Sequence, residues 1–340
     1  SDEKTEPQEE SKKELPKGIS LLMEGENSTA VSENEAADFE GEGEENDPYL
    51  IEDVEDLKNL AENVKNGTDY EGKYFQLTVN IDLKNEEWTP IGTIVYTGEF
   101  GRSEERYFKG TFDGDGHQIA NLTITGRNEY VGLFGYVRNA TIQNCNVAGE
   151  VSGYNAVGGI VGAVDGKTNN ILNCSFQGNV EGDGEERGGI VGHTSSGCEV
   201  SGCFVTGTVT GDREVGGIAG SGVGTIKNCY ALANVTATGV NAGGIAGKAY
   251  GVTIENCYYS GEVSARGSAG GIVGNAWGGT IKNCVSLAES VTGIGFVNRI
   301  VGCVRQNTNL INNHSYNRTK LVIDGNTTYA DGTDEKDGTN

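Results

Sequence analysis

The sequence predicts an all-β protein, a right-handed parallel β-helix (solenoid) of about seven three-strand coils with an N-terminal capping helix. Three observations carry this prediction. The chain of 340 residues contains 54 glycines and 4 prolines, and 36% of it is apolar. This composition is too glycine-rich for a helical protein and too apolar for a fully disordered one. A block of the type Gly-Gly-Ile-Val-Gly recurs at steps of 27 to 30 residues, and a regular period of this length is the signature of a solenoid.

The repeats are predicted to extend over residues 130–318. The last glycines of the blocks are Gly135, Gly162, Gly192, Gly220, Gly247, Gly274 and Gly302. A Thr-Ile-x-Asn-Cys segment and a Gly-x-Val segment each recur in most of these units. Short apolar, β-branched segments separated by Gly, Asn, Asp and Ser are typical of strands and turns. Each unit is therefore predicted to form three strands, which make one triangular coil.

An asparagine column is predicted to lie at one corner of the coils. Its members are Asn144, Asn173, Asn228, Asn256 and Asn283, with Asn313 in the last coil. Each asparagine stands between an isoleucine and a cysteine that should both point inward, which requires a bend. Stacked coils are about 4.8 Å apart, so the side-chain amides can hydrogen-bond from one coil to the next.

A cysteine column follows the asparagines and is predicted to be a buried ladder of free thiols. Its members are Cys145, Cys174, Cys203, Cys229, Cys257 and Cys284, with His314 in the last coil. Parallel side chains keep the Cβ atoms about 4.8 Å apart, farther than a disulfide prefers, and a straight column cannot surround zinc tetrahedrally. The state of Cys198 and Cys303, which lie outside the column, is left open.

Residues 48–129 are predicted to form the N-terminal cap helix and irregular first coils. Asp53 is a suitable N-cap and Gly67 a suitable stop for an amphipathic helix of three or four turns. A helix at the open end of a solenoid covers apolar core and unpaired backbone. Strand-like segments at 75–83 and 107–124 are predicted to form the first coils.

The two ends of the chain are predicted to differ from the body. Residues 1–47 hold 16 acidic residues against 4 lysines, a net charge of -12 out of -24 for the whole chain, which predicts a disordered acidic leader. Residues 319–340 are predicted to be a C-terminal strand and a polar tail. The negative charge argues against nucleic acid and anionic membrane surfaces as partners.

The glycine blocks, together with Trp-Thr-Pro-Ile-Gly at 88–92 and the segment 110–117, resemble the GLUG-motif family of bacterial surface proteins over residues 48–318. The resemblance implies an adhesin-like parallel β-helix at the cell surface, or a non-catalytic region of IgA-protease-type metallopeptidases. The His-Glu-x-x-His motif of such a peptidase is absent. The opening residues 1–4 resemble the acidic stretch behind the lipidated cysteine of Bacteroides-type lipoproteins. This likeness implies an outer-membrane lipoprotein that faces outward, with an N-terminal lipid anchor as its membrane contact.

A strip of aromatic residues is the predicted ligand-binding site. If the cysteines point inward, the residues that follow them point outward, and on three consecutive coils these are Phe204, Tyr230 and Tyr258. Such a strip suits sugar rings or the apolar face of a partner, although aromatic ladders also stabilise solenoids by stacking alone. Tyr250 and Trp277 are predicted to extend the strip.

Acidic residues supply the alternative sites. The group at one edge of the coils consists of Glu181, Asp183, Glu185, Glu186 and Asp212. Such carboxylates would suit a β-helix polysaccharide lyase or hydrolase, but Arg187 and Arg213 interleave with them and favour a solvated, partly paired edge. The Asp-Gly-Asp-Gly turn at 113–116 suggests calcium, but a glycine-rich turn between strands explains it as well.

These observations lead us to predict a cell-surface binding protein that is non-catalytic, not an enzyme, and that recognises a host or environmental glycan or a surface protein along one face. No cofactor and no metal are predicted, and the protein is expected to be a monomer. The alternatives are the polysaccharide lyase or hydrolase and a structural spacer.

Overall fold

Residues 39–97 and 102–329 are described by a computed structural model, and they form a parallel β-helix of about ten turns. The predicted fold is confirmed. Each complete turn passes through four sheets, A, B, C and D in chain order, whose strands stack on the corresponding strands of neighbouring turns. Most of the predicted leader (1–38) and of the polar tail (330–340) lies outside the described residues.

Sheets A and B contain ten and 13 strands. The strands of sheet A are Tyr49–Ile51, Tyr74–Leu77, Thr111–Asp113, Thr141–Gln143, Asn169–Leu172, Cys198–Ser201, Thr225–Lys227, Thr253–Glu255, Thr280–Lys282 and Asn309–Ile311. The strands of sheet B are Ile81–Asp82, Gln118–Ile124, Asn146–Gly153, Ser175–Gly182, Phe204–Gly211, Tyr230–Ala237, Tyr258–Ser260, Glu262–Ala265, Val285–Ser286, Ser290–Gly293, His314–Ser315, Lys320–Ile323 and Asn326–Thr328. All neighbours pair in parallel except the last two strands of sheet B, which form an antiparallel hairpin.

Sheets C and D contain six and seven strands. The strands of sheet C are Val157–Gly158, Glu185–Gly188, Arg213–Gly216, Asn241–Gly243, Ser268–Gly270 and Val297–Asn298. The strands of sheet D are Phe134–Arg138, Val161–Asp165, Val191–Thr194, Ala219–Gly222, Ala246–Tyr250, Val273–Trp277 and Val301–Arg305. A separate antiparallel hairpin of Thr93–Thr97 and Arg102–Arg106 leaves the solenoid between its second and third turns.

The coil count and the strand count differ from the prediction. The first turns, which include Tyr49–Ile51, Tyr74–Leu77 and Thr111–Asp113, lack the glycine block and so escaped a count based on it. The glycine block contributes two strands to each complete turn, because the chain bends at its Gly-Ile step. About seven coils of three strands are therefore replaced by about ten turns, and each complete turn contributes to four sheets.

Helix α1 spans Val54–Asn66, as the cap signals predict. The Asp53 side chain accepts hydrogen bonds from the backbone N–H groups of Glu55 and Asp56, and Gly67 closes the helix with a left-handed φ of 115°. The helix follows the first strand of sheet A and buries its apolar face in the core at this end of the solenoid. Within the described residues, no helix has the length and apolar character that crossing a membrane requires.

The predicted leader includes residues that are ordered in the structure. Phe39 is 7% exposed and packs edge-on against Phe75, with ring centroids 5.3 Å apart. The backbone of Leu50 donates a hydrogen bond to the carbonyl of Glu40. Residues 39–47 therefore cover the first turn.

The glycine block allows sheets C and D to pack backbone against backbone. A Cβ atom on Gly192 would lie 2.5 Å from the carbonyl carbon of Ala156 in the preceding turn, and one on Gly220 would lie 2.4 Å from the backbone nitrogen of Arg187. The last glycine of each block is thus required because the backbone of the preceding turn leaves no room for a Cβ atom. Its φ angle does not require glycine.

Left-handed asparagines bend the chain between sheets A and B. The φ angles of Asn144, Asn173, Asn228, Asn256 and Asn283 lie between 51° and 54°, a conformation that asparagine tolerates better than most residues. The amide of Asn256 donates to the side-chain oxygen of Asn228 at 3.2 Å, and that of Asn283 donates to Asn256 at 3.4 Å. Gly202 takes the bend position in its own turn, with a φ of 67°.

The last coil departs from the predicted alignment by one residue. Asn312, not Asn313, has the left-handed φ of 50°, and Asn313 is buried, where it accepts a hydrogen bond from the backbone of Cys284. His314 is exposed and pairs with Val285. The assignments of Asn313 to the bend and His314 to the cysteine position are wrong, because the step between coils is one residue shorter here than the alignment assumed.

All eight cysteines are free and buried. The five thiols of the column from Cys174 to Cys284 contact backbone carbonyls; that of Cys174, for example, lies 3.3 Å from the oxygen of Leu172. Burial raises the pKa of the Cys145 and Cys203 thiols and that of Cys198 to about 12. These thiols are therefore protonated at neutral pH and act as small apolar side chains.

Candidate functional site

The outer face of sheet B is the candidate functional site. In its longest strands, alternate side chains point inward and outward, and the inward column of Val180, Val209, Val235 and Val263 is wholly buried. The outward side chains form flat rows along the solenoid axis. Their register is fixed because a slip of one residue would expose the valines.

The predicted aromatic residues occupy one of these rows. Phe204, Tyr230 and Tyr258 are successive register partners in sheet B. The rings of Phe204 and Tyr230 stack with their centroids 4.2 Å apart and their planes inclined by 25°. Tyr230 and Leu232, two residues further along the same strand, are each 41% exposed. We call this surface the aromatic strip.

Tyr250 and Trp277 form a second aromatic patch away from the strip. They are register partners in sheet D, with ring centroids 6.5 Å apart, and cations lie over both rings. The ammonium of Lys248 is 4.6 Å from the ring centroid of Tyr250, and the guanidinium of Arg305 is 5.4 Å from that of Trp277. The strand Thr253–Glu255 of sheet A separates this patch from the strip, so Tyr250 and Trp277 do not extend it.

A polar groove lies on the opposite border of the outer face, where sheet B turns into sheet C. It encloses about 560 Å³. Its lining residues are Ser152, Glu181, Gly182, Asp183, Thr210, Gly211, Asp212 and Thr238. Carboxylates accept hydrogen bonds and hydroxyls both donate and accept them, so the groove suits a ligand rich in hydroxyl groups.

The acidic residues of the predicted edge separate into three groups. Glu181, Asp183 and Asp212 line the groove, and Asp183 forms an ion pair with Arg127. Glu185 lies outside the groove and pairs with Arg213 at 3.0 Å, and the same guanidinium lies 3.7 Å from Asp212. Glu186 contacts His193 and Ser221 away from the groove.

Arg187 does not belong to the solvated edge that the sequence predicts. Its strand partners are Val157 and Val215, and it is 0% exposed. The guanidinium donates to the carbonyls of Gly153 and Tyr154, while its Nε and Nη1 atoms have no partner among the described residues. Burial lowers the pKa of Arg187 to about 10 despite the nearby aspartates. The valines at the same position in the neighbouring turns, Val157 and Val215, are the sequence signal that places this side chain inside.

A polar cluster of His193, Glu186 and Ser221 lies between sheets C and D. The sequence does not mark these three residues as neighbours. The Nδ1 atom of His193 is 2.8 Å from the Glu186 carboxylate, and Ser221 donates to the same carboxylate oxygen at 2.6 Å. Burial opposes charge on both partners, but their mutual contact prevails, so the pKa of His193 is raised and that of Glu186 is lowered. Ser221 lies 3.3 Å from the same ring nitrogen that contacts Glu186. This geometry differs from a nucleophilic triad, in which the base uses opposite nitrogens for serine and carboxylate.

The Asp-Gly-Asp-Gly turn has its carboxylates occupied by amide donors. Asp113 accepts hydrogen bonds from Gln143 at 2.7 Å and from Asn144 at 2.9 Å, and Asp115 accepts one from Gln76 at 3.0 Å. Among the described ranges, no group of three or more His, Cys, Asp or Glu side chains has the arrangement of a metal site.

The chain is a parallel β-helix with a flat, solvent-exposed outer face on sheet B. Its structure is similar to that of a "putative immunoglobulin A1 protease" from Bacteroides ovatus, with a TM-score of 0.60 and 25% identity; the match covers 88% of this chain and 84% of that one. A second solved structure, described as "IgA1 Protease", has a TM-score of 0.50 and 17% identity. It matches over 78% of this chain and 21% of its own, which shows a likeness of fold alone.

Two sequence relatives are much longer than this chain. "Halomucin" from Haloquadratum walsbyi is 31% identical over 175 residues, which are 46% of this chain and 2% of the relative. A "Putative Gly-rich membrane protein" from Evansella cellulosilytica is 31% identical over 140 residues, 39% of this chain and 14% of the relative. No family model matches the chain, so the GLUG resemblance stays a prediction.

The prediction that the chain is not an enzyme is contradicted by the likeness to the Bacteroides ovatus protein, which extends over most of both chains. The prediction relied on local motifs such as His-Glu-x-x-His. In a solenoid, side chains from neighbouring turns meet although they are about 28 residues apart, as His193 and Ser221 do. Local motifs are therefore a poor guide to catalytic groups on this fold.

Proposed function

We propose that this chain belongs to a cell-surface protein and recognises an extended ligand, a glycan or a protein, along the outer face of sheet B. The stacked pair of Phe204 and Tyr230 at 4.2 Å carries this proposal. With Tyr258 and the exposed Leu232 it forms a flat apolar surface, and such surfaces on soluble proteins commonly mark interaction sites.

The two borders of this face supply different chemistry to a ligand. Aromatic faces stack against sugar rings or apolar side chains, while the groove offers the carboxylates of Glu181 and Asp212 and the hydroxyls of Ser152 and Thr210. The strand Phe204–Gly211 runs from the strip toward the groove. At about 3.3 Å per residue, a ligand that contacted both borders would span roughly 20 Å.

The surface location is supported by the names of the two sequence relatives, a halomucin and a membrane protein. The resemblances to GLUG-motif proteins and to outer-membrane lipoproteins point in the same direction. A lipid anchor in front of residue 1 would hold the solenoid outside the cell.

A binding screen with matched variants tests the recognition proposal. The full chain is screened against a glycan array and a panel of host matrix proteins, beside a variant with Phe204, Tyr230 and Tyr258 all changed to Ala. The control is Tyr250→Ala with Trp277→Ala, which removes two aromatic rings from sheet D. We expect a ligand whose binding is lost in the first variant and kept in the second. Equal binding by both variants, with unchanged circular dichroism, would place the site elsewhere.

A hydrolytic function is the second candidate, and the likeness to the Bacteroides ovatus protein favours it. On this reading the carboxylates of the groove would act on the substrate. The tests are cleavage of immunoglobulin A1 and of acidic polysaccharides by the full chain and by a variant with Asp183→Asn and Asp212→Asn. Glu185→Gln serves as the control, because Glu185 pairs with Arg213 instead of lining the groove. Cleavage that survives the double substitution would separate the activity from the groove.

A further inference from the structure

The N-terminal end of the solenoid carries a concentrated negative charge. Residues 39–56 contain nine acidic residues and no Lys or Arg. Eight of the nine are exposed. This segment includes the first strand of sheet A, Tyr49–Ile51, and the residues that fold over it. Lys58 and Lys73 neutralise part of this charge through ion pairs with Glu55 and Glu44.

The C-terminal end carries the opposite charge, although the whole chain has a net charge of -24. Residues 290–329, which reach the last described residue, contain four basic residues and one acidic residue, Asp324. Of the four, Arg305, Arg318 and Lys320 are exposed. The two ends of the described solenoid are therefore electrostatically complementary.

The C-terminal end also exposes apolar side chains and strand edges. Ile294 and Phe296 are 60% and 57% exposed, and Ile311 is 46% exposed. Among the described residues, the last strands of sheets A, C and D have a strand partner on one side only. Exposed strand edges beside apolar side chains are typical of surfaces that another chain covers.

We propose that the basic, apolar C-terminal end of one copy docks on the acidic N-terminal end of a second copy. The contact joins two different surfaces, so it is heterologous, and each copy retains one free end of each kind. A heterologous contact that does not close into a ring generates a filament. With ten strands in sheet A stacked about 4.8 Å apart, each copy would add roughly 45 Å along the solenoid axis.

A second copy fits these ends better than an unrelated polyanion does. Nucleic acid or an acidic polysaccharide would meet the positive charge but has no β-strand to pair with the exposed backbone edges. Two identical C-terminal ends would repel each other. Docking of one copy on another is incompatible with the monomer that the sequence analysis predicts. The docking proposal does not depend on the ligand proposed for sheet B.

Neutralising substitutions at each end test the head-to-tail contact in the full chain. The acid-end variant carries Glu40→Gln, Glu42→Gln and Glu45→Gln, and the basic-end variant carries Arg305→Gln, Arg318→Gln and Lys320→Gln. All six side chains are exposed, and the thermal midpoint of each variant shows whether it is folded. Sedimentation velocity is measured over a range of protein concentrations at low and high salt.

We expect the wild type to grow in mass with concentration at low salt and to dissociate at high salt, because salt screens exposed charges. Each variant alone should be monomeric. A mixture of the two should form a 1:1 dimer and stop there, since it retains one intact contact. A monomeric wild type, self-association of either variant, or no dimer in the mixture would overturn the proposal.

A variant truncated after residue 329 tests whether the C-terminal tail of the same chain, and not a second copy, occupies the basic end. A competing occupant of the basic end would be residues 331–337 of the same chain, which contain four acidic residues and one lysine. If they occupied that end, the wild type would be monomeric and the shortened chain would associate. That result would overturn docking between copies of the 340-residue chain.

Discussion

The close contact between sheets C and D makes Gly220→Ala a sharp test of the fold. The added Cβ atom would lie 2.4 Å from the backbone nitrogen of Arg187, 2.5 Å from the carbonyl carbon of Glu186 and 2.6 Å from the oxygen of Gly192. Overpacking against side chains costs about 1–3 kcal/mol. Backbone atoms in paired strands have less freedom to move, so we expect a loss near the upper end, about 3 kcal/mol of unfolding free energy.

The control for this substitution is Gly116→Ala, which separates close approach from backbone strain. Gly116 has a left-handed φ of 77° and no neighbour within 4 Å of an added Cβ atom, so its substitution should cost about 1–2 kcal/mol through strain alone. Urea denaturation followed by circular dichroism measures both losses, provided that the slope with urea is unchanged. If Gly220→Ala cost no more than the control, direct packing of sheets C and D would not explain the glycine block.

Three further outcomes are expected. The buried cysteines should not react with a thiol reagent in the native protein and should all react in denaturant; rapid native labelling of the column would contradict the thiol ladder. Asn256→Ala should lower the free energy of unfolding by about 1–2 kcal/mol, because it removes amide bonds to two coils and leaves alanine in a left-handed conformation; equal urea midpoints would refute this. The contact between His193 and Glu186 raises the pKa of the histidine above 6.5 and lowers that of the carboxylate below 4.5. Its stabilisation should therefore be complete between these values and be lost as pH rises through the folded pKa of the histidine or falls through that of the carboxylate. The effect should be below about 1 kcal/mol because the pair is partly exposed, and His193→Gln should abolish it in thermal melts measured across pH.

The periodic part of the fold could be predicted from sequence because equivalent positions in successive repeats occupy the same structural environment. The asparagine of each Thr-Ile-x-Asn-Cys segment marks a corner, since a straight strand would place isoleucine and cysteine on opposite faces. Phe204 and Tyr230 could be placed side by side because both follow a cysteine of the column. The last coil was aligned one residue too far along because Ile311 resembles the isoleucine of the repeat, whereas the strand register places Leu310 opposite Ile281.

The parts that could not be predicted depend on contacts across corners. The pattern of charges near Arg187 suggests a solvated edge, yet its Cα partners in the neighbouring turns are valines. The residues that line the groove come from four different turns, and nothing within one repeat marks them as neighbours. Tyr250 lies eight residues before Tyr258, but two corners intervene and place the two rings on different sheets.

The constant register of the valine column allows the gene to gain or lose whole repeats. Val209, Val235 and Val263 are paired at steps of 26 and 28 residues with no shift of the inward face. Duplication or deletion of one whole repeat would present the same apolar column and the same glycine contacts to the coils on either side. Recombination between repeats would then alter the reach of the protein in increments of about 4.8 Å, while the surfaces at its two ends stay unchanged.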